Sequence, residues 1–387
     1  MPSYHRLGQV PRKRHTAFRR EDGQLYQEEL IGNQGFTGPS SLLYHLHPPT
    51  VLREMSPLAA ARWEVAGDEG LRPRHLRTTQ LPEGGNPIEG RVPLLFNNDV
   101  AILLARPVAE ADFFYRNGQG DELIFVSDGG GTLETAFGSI PFGRGDYLII
   151  PRGVIYRMRL AAGPHRHLVV ESRGVLQTPR RYRNVWGQHL ESSPFCERDF
   201  RLPESLKTVD EKGEFEVRVK QRNGFSRLIY AYHPFDLIGW DGYYYPWAFN
   251  IGDFEPIVGR IHQPPPVHQV FEGEGFVVCN FVPRLYDFHP DAVPVPYHHT
   301  NAQSDEVLYY ASDRFMSRKG IEYGSITLHP DGIPHGPHPG TIETSLGRKE
   351  TDELAVMVDT FKPLHVSRRA EEIEDAEYSR SWLGADA

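Results

Sequence analysis

Cysteine is nearly absent: Cys196 and Cys279 are the two in 387 residues. That excludes a disulfide framework or a thiolate zinc site, so any metal must draw on histidine and carboxylate ligands. A long basic run is also missing. The formal charge of −9 is spread along the chain, and the cluster Arg12-Lys13-Arg14 is too small to make an electrostatic footprint for nucleic acid. No stretch approaches the ~18 apolar residues that cross a bilayer, and the opening MPSYHRLGQV has no apolar export region. A soluble, unexported, cytoplasmic protein without nucleic-acid or membrane partners is expected.

Helical periodicity is scarce too. Residues 57–63 (PLAAARW) are too short to count as a helix, and the charged end at 369–383 is expected to form one on the surface. Proline (32) and glycine (37) are abundant instead. They cut the chain into short runs rich in β-branched and aromatic residues: ELIFV at 122–126, DYLII at 146–150, GFVVCNFV at 275–282 and EVLYY at 306–310. The pattern implies an all-β barrel or sandwich of short antiparallel strands. With 39 % hydrophobic residues, the length suits two cores.

Two segments share a plan: a strand pair, a Gly-rich approach, a Pro-x-Gly corner and a further strand. One runs from Asp121-Glu122-Leu123 through Gly143-Arg144-Gly145-Asp146 to Pro151-Arg152-Gly153, the other from Asp305-Glu306-Val307 to Pro330-Asp331-Gly332. The duplication suggests two barrels, near 85–200 and 225–370. As domains, 1–200 holds an N-terminal segment plus a metal-free barrel, and 201–387 the barrel carrying the metal.

Histidine is the informative residue, because eight of 18 fall between 262 and 338. A single histidine in a Pro-rich loop is usually solvated, but the combination here has an order. His298-His299 precede Glu306 on an expected strand, and His335 closes Pro330-Asp331-Gly332-Ile333-Pro334-His335. A histidine plus glutamate from one hairpin and a histidine from the next is the arrangement of a cupin barrel. Two neutral imidazoles and a carboxylate on one side of a metal leave the opposite side open, which suits Fe(II) enzymes that bind substrate and O2 together. The same ligands accept Mn, Ni or Zn. The first half lacks the set, with Tyr156 where His335 stands.

Over most of its length the chain resembles the homogentisate 1,2-dioxygenase family. The likeness rests on Leu25-Tyr26 with Glu28-Glu29-Leu30, on Tyr115-Arg116-Asn117-Gly118, and on Phe142-Gly143-Arg144-Gly145-Asp146. It continues in Gly239-Trp240-Asp241-Gly242, Pro296-Tyr297-His298-His299 and Pro334-His335-Gly336-Pro337. The resemblance implies an all-β bicupin that uses Fe(II) and O2 to open homogentisate to maleylacetoacetate, in an assembly of three or six copies. It also implies that His299 and His335 are iron ligands and that His329 lies beside the metal. An acid/base histidine maps to His262, with His268 as its competitor.

One departure concerns the carboxylate. The family's glutamate stands six residues after the first histidine, where this chain has Asp305; Glu306 is preferred because it opens the strand EVLYY, and Asp305 is the alternative. Tyr297, Tyr309, His329 and His335 are expected around the substrate, with His329 also able to orient a ligand from behind. Rival readings keep the metal but change the role, to ring cleavage of a gentisate-like acid or to non-catalytic binding of a small acid.

Overall fold

The apolar runs bounded by glycine and proline become strands. The computed structural model describes residues 3–382 apart from 36, 62, 69, 222, 223 and 316. Among them the architecture is all-β, with two short α-helices, Thr341–Ser345 and Arg368–Glu371. ELIFV falls in Asp121–Asp128, DYLII in Asp146–Ile150 and EVLYY in Asp305–Tyr310, and GFVVCNFV contains the strand Phe276–Phe281. Residues 57–60 belong to the strand Leu52–Ala60. The surface helix expected at 369–383 shrinks to Arg368–Glu371 and a 3-10 turn at Tyr378–Trp382; Leu383 lies outside the described residues. The intervening chain is drawn onto the barrel, where the Asp375 amide donates to the His75 carbonyl at 2.8 Å.

Eight strands wind the first barrel. They are Val100–Ala105, Phe114–Asn117, Asp121–Asp128, Gly131–Thr135, Gly138–Phe142, Asp146–Ile150, Tyr156–Leu160 and Arg166–Ser172. The first, eighth, third and sixth are neighbours in one sheet, and the second, seventh, fourth and fifth in the other. That alternation is the jelly-roll winding of a cupin.

The second barrel repeats it with shorter members. Phe276–Phe281, Ala355–Thr360, Asp305–Tyr310 and Ile326–His329 are neighbours in that order, and Arg284–Leu285 pairs with Glu350–Thr351 opposite. Aromatic side chains fuse the two cores. Tyr147 lies 5.2 Å from Phe271, and its hydroxyl donates to Asn280 Oδ1 at 2.6 Å.

Each barrel borrows an edge strand from elsewhere in the chain. Trp247–Asn250 pairs with Asp146–Ile150, while Arg74–Leu76 pairs with Ile326–His329. The strands Lys212–Gln221 and Gly224–Tyr232 extend the first barrel's second sheet. A division at residue 200 therefore cuts across hydrogen-bonded sheets.

The duplication reaches single hydrogen bonds. Asp121 accepts from the Arg152 and Leu176 amides at 2.9 and 3.0 Å, and Asp305 accepts from the Asp331 and Leu364 amides at 2.8 and 2.7 Å. Arg152 and Asp331 are the middle residues of the two Pro-x-Gly corners, whose glycines Gly153 and Gly332 hold φ of +86° and +75°. Only glycine adopts that left-handed backbone cheaply. A buried carboxylate thus pins the same corner in both barrels.

Candidate metal centre

His299 and His335 face each other across a two-residue bridge whose reciprocal N–H to carbonyl bonds measure 2.9 and 2.8 Å. Their ring centroids are 4.3 Å apart. Side chains alternate along a strand, so Glu306, Leu308 and Tyr310 point to one side of Asp305–Tyr310 while Asp305, Val307 and Tyr309 point to the other. That alternation brings Glu306 between the histidines. One ligand atom from each of His299, Glu306 and His335 falls within 4.8 Å of the others.

The spacing suits a shared ion better than hydrogen bonds. Glu306 Oε2 is 3.5 Å from His299 Nε2 and 3.6 Å from His335 Nε2, and both ring nitrogens of His335 are buried without a hydrogen-bond partner. Ligands about 2.1 Å from a common ion stand roughly 3.0–3.4 Å from one another. The other carboxylate oxygen, Oε1, is held from behind, where His329 Nδ1 contacts it at 2.9 Å and Arg318 Nη2 lies at 3.5 Å. His299 Nδ1 lies 3.2 Å from the Tyr297 carbonyl, which puts the proton there and leaves Nε2 as the donor atom. A divalent cation fits these residues.

The charges agree. Burial alone would raise Glu306, but His299, His329 and His335 hold it well below the usual carboxylate range. Proximity to Glu306 raises His299, whereas burial, then the charge of Arg318, pushes His329 down to about 4. A fully buried His329 is therefore neutral at physiological pH, as an orienting partner should be.

The first barrel shows what the fold does without a metal. Tyr115 pairs with Tyr156 as His299 does with His335, and Glu122 follows Tyr115 by seven residues as Glu306 follows His299. Arg91 Nη1 sits 2.6 Å from Glu122 Oε1, and Arg91 Nη2 donates to the Tyr156 hydroxyl at 2.9 Å. Across the ladder, Glu122 pairs with Glu171, and Lys220 Nζ donates to Glu171 at 2.8 and 2.5 Å. Two buried acids thus meet two side-chain cations. In the second barrel Glu306 pairs across the same ladder with Asp359, and Arg318 is the one nearby cation among the described residues paired with either acid. A divalent ion bound there would supply the charge that Arg91 and Lys220 supply in the first barrel.

This repeat decides between the neighbouring carboxylates. Asp305 matches Asp121, points away from the histidines and spends both oxygens on backbone amides. Glu306 matches Glu122 and alone faces the centre.

The centre opens into a cavity of about 500 Å³ whose wall includes His262, His268, Tyr297, His299, Glu306, Arg318 and Asp359. Tyr297 and His262 meet at the mouth with rings 5.2 Å apart, and His262 Nδ1 lies 3.6 Å from Asp287. His268 is buried deeper with its ring 5.0 Å from Phe281, and burial, then Arg284, pushes it down to about 3.

Two expected substrate contacts are corrected. Tyr309 is on the wrong side of its strand, and its hydroxyl donates to Ser127 of the other barrel at 2.7 Å. His329 is wholly enclosed behind Glu306, between it and the Tyr378 hydroxyl at 3.3 Å. Two neighbours escaped the sequence reading. Asp359 is signalled only as the acid in the apolar strand AVMVDT, and Arg318 sits in a polar loop with no pattern. Burial, then the charge of Glu306, pushes Asp359 up to about 8.

Comparison with known proteins gives concordant matches. Residues 88–251 match the family model for the homogentisate 1,2-dioxygenase N-terminal region. A Saccharolobus solfataricus protein named as a dioxygenase is 42 % identical over 99 % of this chain and 99 % of its own length. The homogentisate 1,2-dioxygenase of Nitrobacter hamburgensis is 26 % identical over 94 % of this chain and 87 % of its own. Among solved structures, a cupin 2 conserved barrel domain protein from Leptotrichia buccalis is 9 % identical with a TM-score of 0.35, covering 77 % of this chain and 100 % of that one. The fold assignment rests on strand order instead.

Proposed function

The chain belongs to the homogentisate 1,2-dioxygenase family, a family of O2-incorporating enzymes, and we propose that it opens the ring of homogentisate at an Fe(II) held by His299, Glu306 and His335. The observation that carries the proposal is the convergence of these three side chains within 4.8 Å at the wall of a cavity of about 500 Å³. A cavity of that size suits a single-ring acid.

Iron bound there would supply a redox-active Lewis acid with an open side for substrate and O2. The protein's own groups do the rest. His329 holds Glu306 Oε1 so that Oε2 faces the histidines, and the Tyr297 carbonyl holds the His299 ring. His262, whose Nδ1 lies 3.6 Å from Asp287, accepts the proton of a ring hydroxyl. His268, held near 3 by burial, is too weak a base for this step at neutral pH. Both atoms of O2 enter maleylacetoacetate, so no external reductant is required.

Assembly into three or six copies in the cytoplasm belongs to the same reading. The exposed Ile261, Phe288 and Val293 near the cavity mouth offer apolar surface for it. The test is O2 uptake by anaerobically purified, Fe(II)-reconstituted protein with homogentisate, followed by absorbance of the ring-opened product. Iron-dependent uptake supports the proposal. Silence with homogentisate but uptake with gentisate would move the substrate and keep the chemistry.

A further inference from the structure

The two barrels act as each other's control for one buried acid. Glu171 and Asp359 occupy the same place in the repeat: each pairs across the ladder with the central glutamate, Glu122 or Glu306. Each pairs on its other side with the barrel's first strand, at Ala101 or Val277. Where the barrel is filled, this acid is fully satisfied, since Lys220 donates to both oxygens of Glu171 at 2.8 and 2.5 Å. Where the barrel is open, it is not. Asp359 Oδ1 is buried with no hydrogen-bond partner, and the residue lines the cavity beside the metal centre.

A buried carboxylate oxygen left without a donor is costly, and water, an ion or a bound ligand can complete it. The metal does not need Asp359 as a ligand, because the three-residue set is complete without it. A hydrogen-bond donor that enters with the substrate would complete it.

We propose that Asp359 is a specificity-determining residue whose carboxylate accepts a hydrogen bond from a ring hydroxyl of the aromatic substrate. It selects a hydroxyl at that wall of the cavity. The inference rests on the aromatic-acid reading above and names which substrate group the unpaired acid serves.

The test measures binding rather than turnover. Homogentisate, 2-hydroxyphenylacetate and 3-hydroxyphenylacetate, the last two each lacking one ring hydroxyl, are titrated calorimetrically into Fe(II)-loaded protein without O2. The protein is used as the wild type, Asp359→Asn and Asp359→Ala, with iron content measured for each. The wild type should bind homogentisate about 2–10-fold more tightly than one of the two analogues, as for an ordinary hydrogen bond. Asp359→Ala should erase that preference while keeping its iron, so that hydroxyl and carboxylate are coupled in the cycle. Asp359→Asn keeps the shape and one acceptor oxygen, and should retain part of the preference.

If both variants keep iron and the full preference, Asp359 does not contact the hydroxyl, and the proposal falls while the aromatic-acid reading stands. If iron is lost in step with binding, Asp359 acts through the metal, and the proposal falls as well. If the wild type binds none of the three acids, the aromatic-acid reading itself fails and takes this proposal with it.

Discussion

Asp305→Asn and Glu306→Gln differ by one position and should fail in opposite ways. Asp305 is 3 % exposed and accepts amide hydrogen bonds of 2.8 Å from Asp331 and 2.7 Å from Leu364. An asparagine keeps one oxygen and sets its NH2 against the other amide. A hydrogen bond to a charged acceptor contributes about 1.5–3 kcal/mol, and an orphaned amide adds to its loss, so the variant should lose about 2–4 kcal/mol. That lowers the melting temperature by several degrees, while the metal site keeps every ligand. Glu306→Gln removes the carboxylate that His299 and His335 face, so its metal content should collapse while both backbone hydrogen bonds to Asp305 stay in place. Asp121→Asn, in the same corner of the other barrel, should reproduce the stability loss of Asp305→Asn. Thermal unfolding with and without chelator, read beside metal content by mass spectrometry, separates the cases. An Asp305→Asn protein that loses its metal while Glu306→Gln retains it would refute the assignment.

Arg91→Met leaves Glu122 buried without its cation and should cost about 3–5 kcal/mol; Arg91→Met with Glu122→Gln should recover much of it in denaturant titrations, and no recovery would contradict the pairing. His329→Ala frees Glu306 Oε1 and should weaken metal binding about 10–100-fold in a chelator competition; unchanged affinity would remove His329 from any orienting role. His45 lies 2.6 Å from Asp236 and 2.9 Å from Glu29, which together outweigh burial and raise it from 6.5 to about 9. Because the folded value is the higher one, this stabilisation is complete below pH 6.5 and lost as pH rises through about 9, up to about 3 kcal/mol. His45→Gln should flatten the stability profile between pH 6.5 and 9, and an unchanged slope would rule the histidine out as its source.

The strands were legible because their signal is local: β-branched runs ended by glycine or proline leave little choice of element. The convergence of His299, Glu306 and His335 was legible because a hairpin fixes their spacing, seven residues from His299 to Glu306 and a corner before His335. Tyr309 was misread because its type suits a pocket, while its parity along Asp305–Tyr310 turns it to the other barrel. Arg318 could not be found because it stands in a polar loop without a pattern, and Asp359 because it reaches the centre through a pairing with a strand distant in sequence. The borrowed strands escaped for the same reason, since nothing local in Arg74–Leu76 foretells a place beside Ile326–His329.

The repeat explains why one barrel is open and the other closed. Arg91 stands on the strand that pairs with the first strand of its barrel, opposite Ala105. In the second barrel that neighbouring strand is Gln269–Gly273, and His268 immediately precedes it. A long guanidinium reaching Glu122, with Tyr115 and Tyr156 in the places of the histidines, fills the first interior. A shorter imidazole against Phe281 leaves the second with its cavity. Filling and charge are therefore linked. A barrel that supplies its own cations closes over two buried acids, whereas one that would take its positive charge from a metal ion keeps a cavity beside the site.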